Sequence, residues 1–125
     1  MTLIPKKKFE SQTVLEKIAD EAISALKCVT SVSTTNVELA DSLDFNDSKV
    51  LGVAVTAGNI GEKIKIITFG EIKDASFIFT LNEPLYLGNN GLITQAPPAI
   101  GFVTTIGHGL GNGAIFININ ESIEL

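Results

Sequence analysis

The chain has 125 residues, a formal net charge of −5, and 45% hydrophobic against 18% charged residues. This length fits one domain, and the composition excludes an intrinsically disordered chain because it supplies enough apolar material for a core. All nine basic residues are lysine. The lack of arginine, the usual bidentate partner of phosphate and guanine, argues against a nucleic-acid reader.

The first ten residues are polar and basic around Pro5, and we predict an extended N-terminal arm over residues 1–10. The arm has no apolar segment of the kind that a secretory signal needs. No apolar run approaches the length of a membrane span, so we expect a soluble protein made in a cytoplasm, with no membrane partner. Lys6, Lys7 and Lys8 form the one basic cluster, which is either solvated or docks on an acidic partner surface.

Residues 11–25 are predicted to form an amphipathic helix, centred on residues 12–22. Ser11 has the side chain of an N-cap, and the charged residues of this stretch fall opposite the apolar ones. The helix either covers one end of the following domain or pairs with the same helix of another subunit. Its apolar stripe contains Val14, Leu15, Ile18, Ala19, Ala22, Ile23 and Leu26.

The rest of the chain, residues 26–125, is predicted to be a β-domain. All eleven glycines lie between Gly52 and Gly113, where they mark frequent turns. Gly52 itself is expected at a bulge or a close approach of two backbones, and Gly70 is expected to interrupt a strand. Apolar and β-branched runs predict short strands at residues 26–32, 37–40, 50–56, 63–69, 71–72, 77–80, 84–87, 92–94, 102–108 and 114–118. Together with the arm and the one short helix, this indicates an all-β fold, a small barrel or a sandwich.

The supply of metal ligands is thin. One histidine and one cysteine cannot form a structural zinc site. Asp41, Asp44 and Asp47 are closely spaced, but the positions where a calcium loop needs glycine and glutamate hold Asn46 and Gly52. We therefore predict a polar, turn-rich loop here, and we expect neither a metal nor a cofactor. The cysteine lies in the apolar run 26–32 and is expected to be a small buried hydrophobe.

The glycine-rich segment IGHGLGNG, residues 106–113, is predicted to be a hairpin connection. A dinucleotide-binding loop would have glycine at Asn112 and a helix afterwards, whereas AIFININ follows, which is typical of a strand. His108 lies in this segment and has no acid or nucleophile close in sequence. A small hydrolase using His108 would require such a partner within hydrogen-bond distance, and we predict no catalytic residue.

An aromatic cluster lies in residues 76–88. Phe77 and Phe79 are two residues apart and therefore share one face of a strand, with Tyr86 a little further on. We interpret them as core residues, with Tyr86 partly exposed. If they were exposed in a shallow groove instead, they would indicate a carbohydrate- or host-binding module.

Two segments carry a family resemblance. They read VLGVAVTAGNIGEKIKIITFGEIKDASFIF and NEPLYLGNNGLITQAPPAIGFVTTIGHGLGNGAIFINI. Together they resemble the small β-domains of tailed-phage capsid decoration or cement proteins and of head-fibre bases, over about residues 21–125. The matching positions are Gly52, Gly58, Gly61 and Gly70 in the first segment, and Pro84, Leu85, Tyr86, Gly91, Ile93, Thr94, Gly101, Ile106 and Gly107 in the second.

The resemblance implies a structural virion protein of a bacteriophage, without enzymatic activity or cofactor. Such a protein binds the major capsid protein or another virion protein non-covalently at the capsid surface, or it anchors a head fibre. The resemblance also implies a homotrimer, assembled in the host cytoplasm. We expect Lys6, Lys7, Lys8 and Phe9 to help attach the chain to its virion partner, because an arm can order on binding and clamp neighbouring subunits. The alternative is the carbohydrate- or host-binding module on the virion surface.

Overall fold

The structure is a computed structural model and describes residues 12–125. Over this range the chain forms eleven strands and one turn of 3-10 helix at Asn89–Gly91. No helix in this range is long and apolar enough to cross a membrane. The strands are β1 Thr13–Ala19, β2 Lys27–Ser31, β3 Asn36–Leu39, β4 Gly52–Ala54, β5 Lys63–Ile78, β6 Pro84–Leu87, β7 Ile93–Thr94, β8 Phe102–Val103, β9 Thr105–Gly109, β10 Asn112–Asn118 and β11 Ile123–Glu124.

Nine of these strands form one sheet in the order β1-β3-β2-β4-β5-β10-β9-β6-β7, and β11 pairs separately with β8. β1 also pairs with β5, so β1, β3, β2, β4 and β5 form a closed circuit of hydrogen-bonded strands. β1 and β3 run parallel, whereas the other strand pairs of the described range run antiparallel. The predicted all-β fold is confirmed.

Two clusters of buried apolar side chains form the core. The first draws residues from all five strands of the circuit and therefore fills its interior. The second lies on the opposite face of β2, β4 and β5, because successive residues of a strand point to opposite faces. The first contains Ala19, Ile23, Val29, Val37, Ala54, Ile64 and Ile66. The second contains Cys28, Ala40, Val53, Ile67, Ile72, Phe77, Leu85, Leu87, Ile93, Ile106, Ile115 and Ile117.

The predicted helix over residues 11–25 is wrong for the residues that the structure describes. Thr13–Ala19 forms β1, which pairs with β5 from Thr13 to Ile18 and with β3 at Ile18 and Ala19. A helix of this length is marginal by itself, whereas a strand here gains backbone hydrogen bonds to two neighbours. Burial of Ala19 inside the circuit adds to that preference.

The second correction concerns β5, which was expected as three separate strands. It runs unbroken from Lys63 to Ile78, passing through Gly70 at φ 114°. Gly70 therefore permits an unusual backbone conformation inside a strand and does not end it. β1 and β4 pair with the first half of β5, and β10 pairs with the second half, so this strand links the circuit to the rest of the sheet.

The expected close approach at Gly52 is confirmed. A Cβ atom at this position would lie 2.5 Å from the carbonyl oxygen of Ile67, which belongs to the neighbouring strand. The glycine-rich segment near the end of the chain is also confirmed as a hairpin, because β9 and β10 pair through Ile115↔Gly109 and Ile117↔Gly107.

Candidate interaction surfaces

Lys6, Lys7, Lys8 and Phe9, the residues predicted to bind a partner, lie outside the described residues. Their role therefore stays a prediction. The other candidates from the sequence, the aromatic cluster, His108 and the aspartate loop, all lie within the described range.

The aromatic cluster belongs mainly to the core. Phe77 is only 5% exposed, and the ring of Phe79 packs 6.0 Å from it while touching the second core cluster. Tyr86 is half-buried on β6, between Thr94 and Thr105 of the adjacent strands. An exposed groove formed by all three rings is therefore not present, and the core interpretation is confirmed for Phe77.

The cross-strand neighbours of His108 are apolar. Its imidazole stacks on the ring of Phe116, with centroids 5.4 Å apart and an angle of 28° between the planes. Across the sheet, His108 lies opposite Phe116 on one side and Pro84 on the other. Neither neighbour offers an acid or a nucleophile, so the contacts of His108 do not favour hydrolysis.

His108 belongs to an aromatic row on the outer face of the sheet. The row is formed by Phe69, Phe116 and His108. Phe69 meets Phe116 edge-to-face, with centroids 5.2 Å apart, and 44% of Phe69 is exposed. The sequence did not reveal this row, because its members lie on three strands and meet only once the strand register is known. The alternation in AIFININ was the available signal, since it places Phe116 and Ile117 on opposite faces.

A second set of exposed apolar side chains, which we call the apolar end, comprises Leu43, Phe45, Ile100, Ile123 and Leu125. The ring of Phe45 packs 5.5 Å from that of Phe102, at the start of β8. β8 pairs with β11. The Leu125 amide extends this pairing by donating a hydrogen bond to the Gly101 carbonyl at 2.9 Å. These contacts bring the three segments close together, with Phe102 opposite Glu124 and Val103 opposite Ile123, so Phe45 and Ile123 lie on opposite faces of the β8–β11 pair.

The aspartate loop is confirmed as a polar loop stabilised by turns. The Asp41 carboxylate accepts a hydrogen bond from the Leu43 amide at 2.9 Å, and the Asp44 carboxylate accepts one from the Asp47 amide at 3.0 Å. Within residues 12–125, no three His, Cys, Asp or Glu side chains are grouped as a metal site requires. The carboxyl of Asp47 is directed instead towards Glu38 on β3.

This loop borders an open groove of about 730 Å³, which we call the acidic groove. Glu38 shares a hydrogen bond with the carboxyl of Asp47, is partly desolvated, and is repelled by Asp47, Glu21 and Asp20. These effects raise the pKa of Glu38 to about 7. Three acidic and three apolar side chains of the lining define the groove, namely Glu38, Asp44, Asp47, Val32, Val50 and Leu51.

Comparison with solved structures identifies the fold. The chain resembles the crystal structure of the N base of head fibre gp8.5 in bacteriophage phi29, with a TM-score of 0.50 and 13% sequence identity. The match covers 91% of this chain and 99% of the other. The expected likeness to a head-fibre base is therefore confirmed. No protein-family model matches the sequence, and no curated protein does so.

Proposed function

We propose that this chain is a structural component of a bacteriophage virion that binds other virion proteins non-covalently and catalyses no reaction. The observation that carries the proposal is the fold shared with the head-fibre base over 91% of the chain. The apolar end supports it independently, because Leu43, Phe45 and Ile100 are each more than half exposed and such side chains are available for protein–protein contacts.

Within the virion, the proposed position is the capsid surface, reached after assembly in the host cytoplasm. There the chain decorates or cements the shell by binding the major capsid protein, or it anchors a head fibre. A reconstruction of the particle that carries this chain tests the position. Density for the chain on the outer face of the head is the expected result, and density confined to the tail would contradict it.

The proposed attachment segment is Lys6, Lys7, Lys8 and Phe9. Deleting residues 1–10 is expected to reduce capsid occupancy, measured as copies per particle after purification. Replacing the three lysines by glutamine should reduce it by about tenfold, since each surface charge pair contributes little alone but three act together. A matched control replaces three lysines of β5, Lys63, Lys65 and Lys73, by glutamine. Unchanged occupancy in the arm variants would refute this part of the proposal.

The proposed oligomer is a homotrimer, with the apolar end at the contact between subunits. Homo-oligomer interfaces are richer in apolar area than the rest of the protein surface, and this end exposes five large apolar side chains. Light scattering on the purified chain should give the mass of a trimer, and Phe45→Ser with Ile123→Ser should shift it to that of a monomer. Ile78→Ser, which changes an exposed isoleucine elsewhere, serves as the control. A monomeric mass for the unaltered chain would exclude the trimer.

A carbohydrate- or host-binding module is the second candidate function. The aromatic row is a better site for it than Phe77, Phe79 and Tyr86, on which the sequence based it. Sugar rings stack on exposed aromatic faces, and Phe69, which is 44% exposed and packs against Phe116, provides such a face on the outside of the sheet. Binding of host-cell polysaccharide, measured by calorimetry, should then disappear in Phe69→Ala and persist in Phe45→Ala. No heat of binding with the unaltered chain would remove this candidate.

A further inference from the structure

We infer that residues 3–9 of the chain dock in the acidic groove of the same molecule. This goes beyond the proposed function, because it concerns the free protein before any virion partner is bound. The segment reads LIPKKKF and precedes the described range. Its apolar ends and basic centre correspond to the two kinds of side chain that line the groove.

The first support is the composition of the groove. Val32, Val50 and Leu51 provide an apolar surface, and Val32 is about half exposed. Phe45 of the neighbouring loop adds an apolar ring, since it lines an adjoining cavity of about 500 Å³ that shares Val50 with the groove. Leu3, Ile4 and Phe9 are apolar side chains of suitable size for these surfaces.

The second support is charge. Glu38, Asp44 and Asp47 line the groove, and the hydrogen bond to Asp47, desolvation, and repulsion from Asp47, Glu21 and Asp20 raise the pKa of Glu38. The amine of Lys49, which also lines the groove, lies over the Phe45 ring, 4.2 Å from its centroid. Three consecutive lysines would supply the positive charge that relieves this repulsion.

The third support is reach. Thr13 lies opposite Phe69 on β5, and β4 and then β2 follow in the sheet. Thr30 on β2 lines the groove. It lies three strand spacings from Thr13, a distance across the sheet of roughly 14 Å. An extended chain that leaves Gln12 covers about 13 Å by Lys8 and about 20 Å by Lys6. The segment is therefore long enough to place its lysines over the groove of its own molecule.

Limited trypsin digestion of the full chain at low salt tests the inference, because trypsin cleaves after lysine and a docked segment resists cleavage. Asp44→Asn with Asp47→Asn should accelerate loss of the N-terminal segment by about tenfold, since two charge pairs are lost together. Asparagine keeps the acceptor oxygen that holds the Asp47 amide, so the loop stays intact. The control, Asp74→Asn with Glu83→Gln, removes the same charge outside the groove and should leave the rate unchanged.

A second measurement observes the groove directly. Replacing Lys6, Lys7 and Lys8 by glutamine in the full chain should shift the NMR amide signals of Val32, Val50 and Leu51. Equal cleavage rates in both double variants, together with unmoved amide signals, would overturn the inference. Protection that increases with protein concentration would show that the segment enters the groove of another copy, which also overturns it. The virion proposal is tested on particles, so its failure is distinguishable from a failure here.

Discussion

Glu38 and Asp47 share a hydrogen bond between their carboxyl groups, although they lie on β3 and on the loop that follows it. Sharing a proton with Asp47, together with desolvation and repulsion from nearby acids, raises the pKa of Glu38 from 4.5 to about 7. The folded state therefore binds more protons than the unfolded state between these two pH values. The free energy of unfolding must fall as the pH rises through this window.

We expect Glu38→Gln to remove this fall in the free energy of unfolding as the pH rises. The variant should melt at a higher temperature than the unaltered chain at pH 8, and the difference should vanish near pH 4.5. Its size should stay below about 1 kcal/mol, because the groove is open and solvent screens the charges. The effect should be largest in a chain whose Lys6, Lys7 and Lys8 are glutamine, since the docking inferred above would stabilise the charged form of Glu38.

Calorimetry from pH 4.5 to pH 8 measures this effect, with Glu83→Gln as a control for the loss of one exposed carboxylate. A difference in melting temperature that does not change with pH would contradict the assignment of the raised pKa to Glu38.

The two isoleucines Ile66 and Ile78 lie on the same strand in opposite environments. Ile66 is completely buried within the circuit, whereas Ile78 is 78% exposed. Ile66→Ala should lower the free energy of unfolding by about 2–5 kcal/mol, because it leaves a cavity among packed side chains. Ile78→Ala should change it by less than about 0.5 kcal/mol. Chemical denaturation of both variants provides the comparison, and equal losses would be inconsistent with the position of the first core cluster.

The sequence predicted the strands well where local signals agree with tertiary pairing. Glycine and asparagine at the turns define the ends of β6, β7, β9 and β10, since these residues adopt the required backbone angles. The same local reasoning failed at Thr13–Ala19, where apolar residues also fall at helical spacing. Pairing with β3 and β5 decides this segment, and both partners are distant in sequence.

The surfaces were harder to predict for the same reason. Glu38 and Asp47 meet because the chain returns from β3 through the polar loop, and Phe69 meets Phe116 because β5 pairs with β10. Both contacts depend on strand register, which composition and periodicity do not determine. The basic cluster Lys6, Lys7 and Lys8 was visible in the sequence, but the acidic groove that we infer to receive it was not.

Gly52 is required by the approach of two backbones. Since an added Cβ would lie 2.5 Å from the Ile67 carbonyl oxygen, Gly52→Ala should force β4 away from β5 and destabilise the fold by about 1–3 kcal/mol. Gly88→Ala is the comparison, because its nearest neighbour would be the Leu92 Cβ at 3.3 Å, where a smaller shift suffices. Thermal unfolding of both variants measures the difference, and a Gly52→Ala variant as stable as the unaltered chain would disprove the close approach.

The thiol of Cys28 should not react with disulfide reagents in the folded protein. It is fully buried in the second core cluster, and burial, opposed only in part by Lys27, raises the pKa of its thiol to about 12. At pH 8 the thiol is therefore protonated, and the thiolate is the reactive form. A disulfide reagent should therefore label the native chain no faster than it unfolds, and should label it at once in denaturant.

Ile66→Ala should accelerate native labelling by increasing the unfolded population, whereas Ile78→Ala should not. Rapid labelling of the unaltered chain under native conditions would show that Cys28 is accessible, and the packing of β2 against β4 would then have to be revised.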